Sequence, residues 1–204
     1  MIHEADLFVM AEDTLVEVLS RVRTEQQWDI VIPAMFDVPD ADRPRTIRQL
    51  VAHYAFDDSW VPDMLAGATM DDIGRDFFDG DLLGSDPQMA IVRISDAACA
   101  AARKVTDPDA VVHCSFGDVT TSEYFMQINI VRCFLAHDVA FHLGSTACPL
   151  PEELARPMWE ATAPVADRWR SLGIFREPLP IPDDASWRDR FLRAAGRDPH
   201  PVFH

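Results

Sequence analysis

One long apolar helix pattern, from about residue 120 to residue 143, constrains the fold more than any other feature of the chain. Thr120 and Glu123 form a capping-box pattern at its start, and Gly144 is a typical stop. Between them, apolar side chains fall on nearly every face of the helix, which is typical of a helix that is buried all round. The sequence therefore predicts a central helix against which other helices pack.

Further helices are indicated by apolar residues that recur at three- and four-residue spacing. We expect them to span about residues 5–23, 46–66, 87–104 and 151–172. A kink or break is expected at Pro62, because proline lacks a backbone N–H and clashes with the preceding turn. We expect Pro157 and Pro164 to bend the last of these helices. A short helix at 70–77 and an extended segment at 111–116, too isolated to predict a sheet, complete the pattern.

Long helices with short connections favour an all-α fold, an antiparallel helical bundle with a short C-terminal appendage. We predict a bundle domain over residues 1–175. Residues 176–204 are expected to form an extended proline-rich tail and a short helix that packs on the bundle. Ser186 and Asp189 are the predicted capping pair of that helix.

Charge and composition exclude several classes of partner. The chain of 204 residues carries 34 acidic and 18 basic side chains, so its net charge is −16. Such a surface repels nucleic acid and anionic membranes, and we expect neither as a partner. The start of the chain lacks the pattern of a secretory signal, and the four cysteines form no C-x-x-C motif. We therefore expect a cytoplasmic protein that acts on a small-molecule substrate; a homodimer through an exposed helix face is compatible with the sequence.

Two histidine–aspartate pairs interrupt otherwise apolar helix faces. His53 and Asp57 are one turn apart on the second long helix, and Asp138 and His142 are one turn apart on the central helix. A carboxylate and an imidazole at this spacing can bind one divalent metal, or the carboxylate can fix the tautomer of the imidazole. If the two helices are neighbours, the pairs could form one polar pocket inside the bundle.

Each of these residues also has a structural interpretation. A histidine on an apolar face is more often a hydrogen-bonded core residue than a metal ligand. His137 lies on another face of the central helix and competes with His142 as a ligand. Trp60 and Tyr124 share the faces of the two pairs, and would line the pocket or serve as core aromatics.

Three stretches together resemble the mycothiol-dependent maleylpyruvate isomerase metal-binding family, within the DinB-like superfamily. Residues 46–53 match its T-x-R-x-L-V-A-H segment. Phe116-Gly117-Asp118, with residues 137–140 and Gly144, resembles its F-G-E … W-D-L-A … G pattern. Its C-terminal region is resembled by residues 149–154, Phe175, Pro178 to Pro182 and Trp187 to Gly196.

The resemblance implies a DinB-like bundle and a divalent metal, zinc or similar, that activates mycothiol or another low-molecular-weight thiol for isomerisation or S-transfer. His53 matches the first metal ligand of the family. Val131 and Leu135 stand at the positions of the other two ligands, and neither can bind a metal. Asp138 matches the aspartate of the family's W-D element.

Two explanations of this departure stay open. In the first, the metal site has moved along the helix face, so that His53, Asp138 and His142 are its ligands. In the second, the metal is lost, and the four residues His53, Asp57, Asp138 and His142 serve metal-free acid–base chemistry or plain ligand binding. We thus expect a thiol-dependent isomerase or transferase, with a metal-free His/Asp enzyme and a non-catalytic binding protein as alternatives.

Overall fold

In a computed structural model, the structure describes residues 1–36, 43–115 and 117–202. Phe116, which belongs to the predicted extended segment and to the family-like motif, lies outside the described residues. The protein is 56 % helix and 6 % strand, which confirms the expected all-α class. No described helix is long and apolar enough to cross a membrane.

The chain divides into two compact units. Unit 1 comprises Met1–Ser20 and Arg48–Asn129, and unit 2 comprises Arg21–Ile47 and Ile130–His204. The boundary that the sequence predicts after residue 175 falls inside unit 2.

Unit 1 is built mainly from helices and one small hairpin. Its elements are α1 (His3–Leu19), α3 (Ile47–Leu65, from Arg48 onward), α4 (Met70–Ile73), α5 (Pro87–Ala102), β3 (Val111–Cys114), β4 (Gly117–Thr120) and the first part of α6 (Thr121–His142). Helices α1 and α5 pack together. The core of this unit includes Phe8 against Phe125, with ring centroids 5.4 Å apart, and Trp60 against Phe78 at 4.8 Å.

Unit 2 contains the second part of α6 and the C-terminal helices. Its other elements are α2 (Glu25–Trp28), β1 (Val31–Ile32), β2 (Arg45–Thr46), α7 (Glu152–Thr162), a 3-10 turn (Ala163–Val165), α8 (Ala166–Ser171) and α9 (Trp187–Ala194). Helices α7 and α9 pack together. Phe134 of α6 stacks on Phe191 at 5.3 Å and meets Phe175 edge-on at 5.7 Å, which forms the aromatic centre of this unit.

The predicted helix ends are confirmed where a polar side chain caps them. The Asp86 carboxylate accepts a hydrogen bond from the Met89 amide at 3.1 Å, at the start of α5. The Glu123 amide donates to the Thr120 hydroxyl, and the Glu123 carboxylate accepts from the Thr120 amide, as the capping box requires. Helix α6 ends at His142, and every residue from Arg132 to Ala140 is buried.

Three sequence predictions are corrected. Helix α3 continues through Pro62, so the break that the sequence allowed does not occur; a proline this close to the helix end removes its own N–H bond and leaves the bonds before it intact. The helix predicted at 151–172 is two helices, because Pro164 interrupts it in the 3-10 turn. The extended segment at 111–114 has a strand partner after all: His113 pairs with Asp118 in an antiparallel hairpin. This partner directly precedes the capping box of α6, which concealed it in the sequence pattern.

The proline-rich tail is fixed by arginine side chains rather than by a sheet. Arg193 donates to the Pro180 carbonyl at 3.0 Å, and Arg190 donates to the Ala185 carbonyl at 2.9 Å. Prolines cannot form a regular backbone ladder, so side-chain donors bind these carbonyl groups. The arginines of α9 supply these donors, so the tail and α9 form one packed segment of unit 2.

The close contact between Gly196 and the segment that begins at Arg176 yields a prediction. Gly196 has φ +74°, and a Cβ atom there would lie 2.6 Å from both Arg176 Cβ and the Glu177 carbonyl oxygen. Gly67 has φ +85° with open space around it, so it is a matched control. We expect Gly67→Ala to cost about 1 kcal/mol of backbone strain and Gly196→Ala about 1–3 kcal/mol more, measured by urea denaturation. Equal losses in the two variants would contradict the close contact.

Candidate functional site

The first predicted pair lies on the surface of unit 1. His53 Nε2 and Asp57 Oδ2 of α3 are 3.9 Å apart, and about half of each side chain is exposed. Trp60 and Tyr124 are 2 % and 4 % exposed and belong to the apolar core of unit 1. The two aromatic residues therefore fit the structural interpretation, as core residues.

The second pair lines a cavity of about 360 Å³ in unit 2, which we call the α6 pocket. Three residues that the sequence nominated, His137, Asp138 and His142, line it together. Its remaining charged residues are Arg176, Arg197 and Asp198. Its apolar walls are Ile32, Pro33, Phe141, Pro201 and Val202. About half of the lining is therefore polar, a larger share than in most small-molecule sites.

Asp138 forms a buried ion pair with Arg197. Arg197 Nε lies 3.2 Å from Oδ1 and 3.3 Å from Oδ2 of the carboxylate, and Nη2 lies 3.3 Å from Oδ2. The side chains of Arg197 and Asp138 are only 1 % and 11 % exposed. Both carboxylate oxygens therefore accept hydrogen bonds from the guanidinium, which neutralises their charge inside unit 2.

His142 is oriented by the backbone of its own helix. Its Nδ1 lies 2.7 Å from the carbonyl oxygen of Asp138, one turn earlier. A carbonyl oxygen can only accept, so Nδ1 carries a proton and donates it. In the neutral ring, Nε2 then carries the lone pair. The sequence anticipated that Asp138 could fix the tautomer of His142, and the group that does so is the carbonyl rather than the carboxylate.

His137 is a buried imidazole with one unused nitrogen. The residue is 4 % exposed, and its Nδ1 has no hydrogen-bond partner among the described residues. The ring also lies within hydrogen-bonding reach of the Asp198 backbone. Burial lowers the pKa of His137 below its ordinary value of 6.5, although the nearby Asp138 opposes this shift.

Both carboxylate oxygens of Asp138, one of the predicted metal ligands, already accept hydrogen bonds from Arg197. Among the described residues, no group of three or more His, Cys, Asp or Glu side chains is arranged to hold a metal ion. A cation on Asp138 would have to displace the guanidinium of Arg197 from both carboxylate oxygens. The ligand set His53, Asp138 and His142 stays a prediction.

Two arginines of the α6 pocket were missed by the sequence patterns. Arg197 lies 59 residues from Asp138, beyond α9, and Arg176 lies in the connection before the proline-rich tail. Helix spacing relates only residues within one helix, so it could not indicate that Arg176 and Arg197 lie beside the polar residues of α6. The signal that could have pointed to Arg197 is the Gly-Arg-Asp-Pro turn at residues 196–199.

Comparisons with protein-family models, with curated proteins and with solved structures return no match to this chain. Membership of the maleylpyruvate isomerase metal-binding family stays a prediction from the motifs.

The buried ion pair should dominate the stability of unit 2. We expect Arg197→Met to lower the free energy of unfolding by about 3–5 kcal/mol, because it leaves the Asp138 carboxylate buried without its counter-ion. The double variant Asp138→Leu/Arg197→Met should recover part of this loss. The exposed pair of Arg75 and Asp71 is the control, and Arg75→Met should leave stability nearly unchanged. Equal effects of the two arginine replacements would contradict the burial of the pair.

Burial of His137 should make stability depend on pH. Its pKa is lower in the folded than in the unfolded chain, so the unfolded chain binds more protons below about pH 6.5. The contribution of His137 to the free energy of unfolding should be constant above about pH 6.5 and should fall as the pH decreases through and below that value. Denaturation of His137→Gln between pH 7.5 and pH 5.5 should show a smaller loss of stability than the unmodified chain. The same replacement at the exposed His3 should keep the original pH dependence, and an unchanged slope in His137→Gln would refute the prediction.

Proposed function

We propose that the chain is a small-molecule enzyme that uses the α6 pocket for metal-free acid–base chemistry, with His142 as its general base. The observation that carries this proposal is the hydrogen bond from His142 Nδ1 to the Asp138 carbonyl, in a residue that lines a cavity. This bond leaves the Nε2 lone pair to accept a proton from a bound molecule. A base needs such a fixed tautomer to be effective in proton transfer.

The surroundings of His142 support this role. Its ring packs edge-on against Phe141, with centroids 4.9 Å apart, and this contact restricts the ring further. The Asp138–Arg197 pair fixes the turn of α6 whose carbonyl orients the ring. We therefore treat Asp138 and Arg197 as positioning residues rather than as catalytic ones. A cavity of about 360 Å³ is large enough for a small metabolite.

Thiol-dependent isomerisation or S-transfer, which the family resemblance implies, is compatible with this proposal if the thiol comes from a small molecule. The cysteines of the chain are poor sources of thiolate, because burial raises the pKa of Cys99 to about 12 and those of Cys114 and Cys148 to about 11. Burial raises the pKa of Cys133 as well. A low-molecular-weight thiol bound in the α6 pocket could lose its proton to His142.

We also infer a DinB-like architecture for the helices. Four helices of 16 to 22 residues, α1, α3, α5 and α6, support this inference by their number and length. The order of the motifs along the chain supports it independently. Distances between pairs of spin labels on these helices would test it: a helix order unlike that of DinB-like bundles would refute it.

Proton transfer can be measured without knowing the natural reaction. We would follow exchange of carbon-bound hydrogen for deuterium by NMR, with a panel of small keto, hydroxy and amino acids in heavy water containing a metal chelator. The expected result is exchange in at least one compound, reduced about 100-fold or more in His142→Gln. His53→Gln is the control, because His53 lies outside the α6 pocket, and it should keep full activity.

The other outcomes contradict the proposal in different ways. Exchange that is lost with the chelator, restored by zinc and abolished in His53→Gln would support the metal site of the family instead. An absence of exchange throughout the panel, with a folded protein, would favour a non-catalytic binding protein. Elemental analysis of the untagged protein, made in parallel, would show whether a metal accompanies the activity.

A further inference from the structure

Unit 1 carries most of the negative charge of the chain. It contains 19 of the 34 acidic side chains and five of the 18 basic ones, so its net charge is −14, whereas the whole chain carries −16. A charge of this size attracts positively charged molecules and raises the rate at which they meet the protein. Where such a molecule binds is decided by the cavities and the exposed apolar groups of the unit.

The segment of residues 70–81 combines acidic charge with exposed apolar surface. Five aspartates and one arginine lie in it. Phe77 is 67 % exposed, and its ring contacts Phe78 edge-on, with centroids 4.9 Å apart. Phe78 in turn packs on Trp60, which is buried. Phe77 is therefore the exposed end of an aromatic row that is anchored in the core of unit 1.

Backbone hydrogen bonds hold Phe77 in place. Its amide donates to the Gly74 carbonyl at 3.0 Å, and the Asp79 amide donates to the Asp76 carbonyl at 3.0 Å. An aromatic ring on a fixed backbone loses little conformational entropy when a partner covers it. Aromatic residues of this kind are typical of the few that contribute most to protein–protein binding.

A cavity of about 180 Å³ lies next to this segment, and we call it the acidic cavity. The segment lines it with Asp71 and Arg75, and the β3–β4 hairpin lines it with His113 and Asp118. Asp71 accepts a hydrogen bond from Arg75 at 2.6 Å, and Asp118 bonds His113 at 2.8 Å, each through Oδ1. The two carboxylates are nevertheless 73 % and 67 % exposed. A carboxylate has about four lone-pair sites, so each accepts further donors.

We propose that this surface of unit 1 binds a basic, partly apolar segment of another protein. A lysine or arginine side chain of the partner enters the acidic cavity and donates to Asp71 and Asp118, and a neighbouring apolar side chain packs on Phe77. A second copy of unit 1 is a poorer partner, because like charges repel each other. The inference is independent of the proposed enzyme, whose pocket belongs to unit 2.

Three short fluorescent peptides separate the two contacts. The first contains arginine and leucine, the second has alanine in place of leucine, and the third has citrulline, the uncharged analogue of arginine. We would measure the dissociation constant of each peptide at physiological salt by fluorescence anisotropy. The arginine–leucine peptide should bind at least about tenfold more tightly than each of the others, because each of the others lacks one of the two contacts.

The apolar contact is assigned by Phe77→Ala. This variant should bind the arginine–leucine peptide about tenfold more weakly and should show no preference for it over the alanine peptide. Met89→Ala is the matched control, since Met89 is 63 % exposed and lies in α5, outside the segment. It should bind all three peptides like the unmodified chain.

The charged contact is assigned by the double variant Asp71→Asn/Asp118→Asn. It should lose the preference for arginine over citrulline, while each asparagine keeps an oxygen that accepts a hydrogen bond. The control Asp13→Asn/Asp96→Asn removes the same net charge from exposed positions on α1 and α5. The control should keep the preference, because the acidic cavity is unchanged.

Three results would each overturn this inference: no saturable binding of the arginine–leucine peptide, equal effects of Phe77→Ala and Met89→Ala, or equal effects of the two double variants. Equal effects of the double variants would mean that the peptide responds to the overall charge of unit 1 rather than to the acidic cavity. Circular dichroism would confirm that each variant is folded, which the exposure of the replaced side chains favours.

Discussion

The buried ion pair between Asp138 and Arg197 is the interaction on which unit 2 depends. Arg197 also donates to the Met35 carbonyl at 3.0 Å and to the Ala195 carbonyl at 3.4 Å, and its guanidinium carbon lies 3.8 Å from the centre of the Phe134 ring. Removing two charges from water is costly, and the cost is offset only when their hydrogen-bonding capacity is used, as it is here. The pair therefore joins α6, the segment at Met35 and the turn after α9.

This ion pair also determines the chemistry that the α6 pocket can offer. It occupies both oxygens of Asp138, the carboxylate that the motifs suggested as a metal ligand or base. What remains on the pocket lining is the oriented imidazole of His142 and the guanidinium of Arg176. These are groups for binding a small polar molecule and moving a proton, which is why we favour acid–base chemistry over a metal-assisted reaction.

Local features of the fold could be predicted from the sequence because their causes are local. The caps at Asp86 and Thr120 each satisfy a backbone N–H three residues away, so a short motif suffices to locate them. The four-residue spacing on α6 likewise predicted that Asp138 and His142 share one face, and both residues line the pocket. The partner of Asp138 could not be predicted, because Arg197 is separated from it by 59 residues, in which three α-helices and a 3-10 turn lie.

The sequence by itself determined the helical class, most helix ends and the polar positions on α6, since these follow from periodicity and from hydrogen bonds between near neighbours. Only the tertiary structure decided what each polar side chain does. In that structure, His53 and Asp57 lie on the surface of unit 1, and Asp138 neutralises Arg197. His137 and His142 line a cavity. The physical reason is that a side chain acquires its charge partner and its exposure from residues distant in sequence, which no pattern within one helix contains.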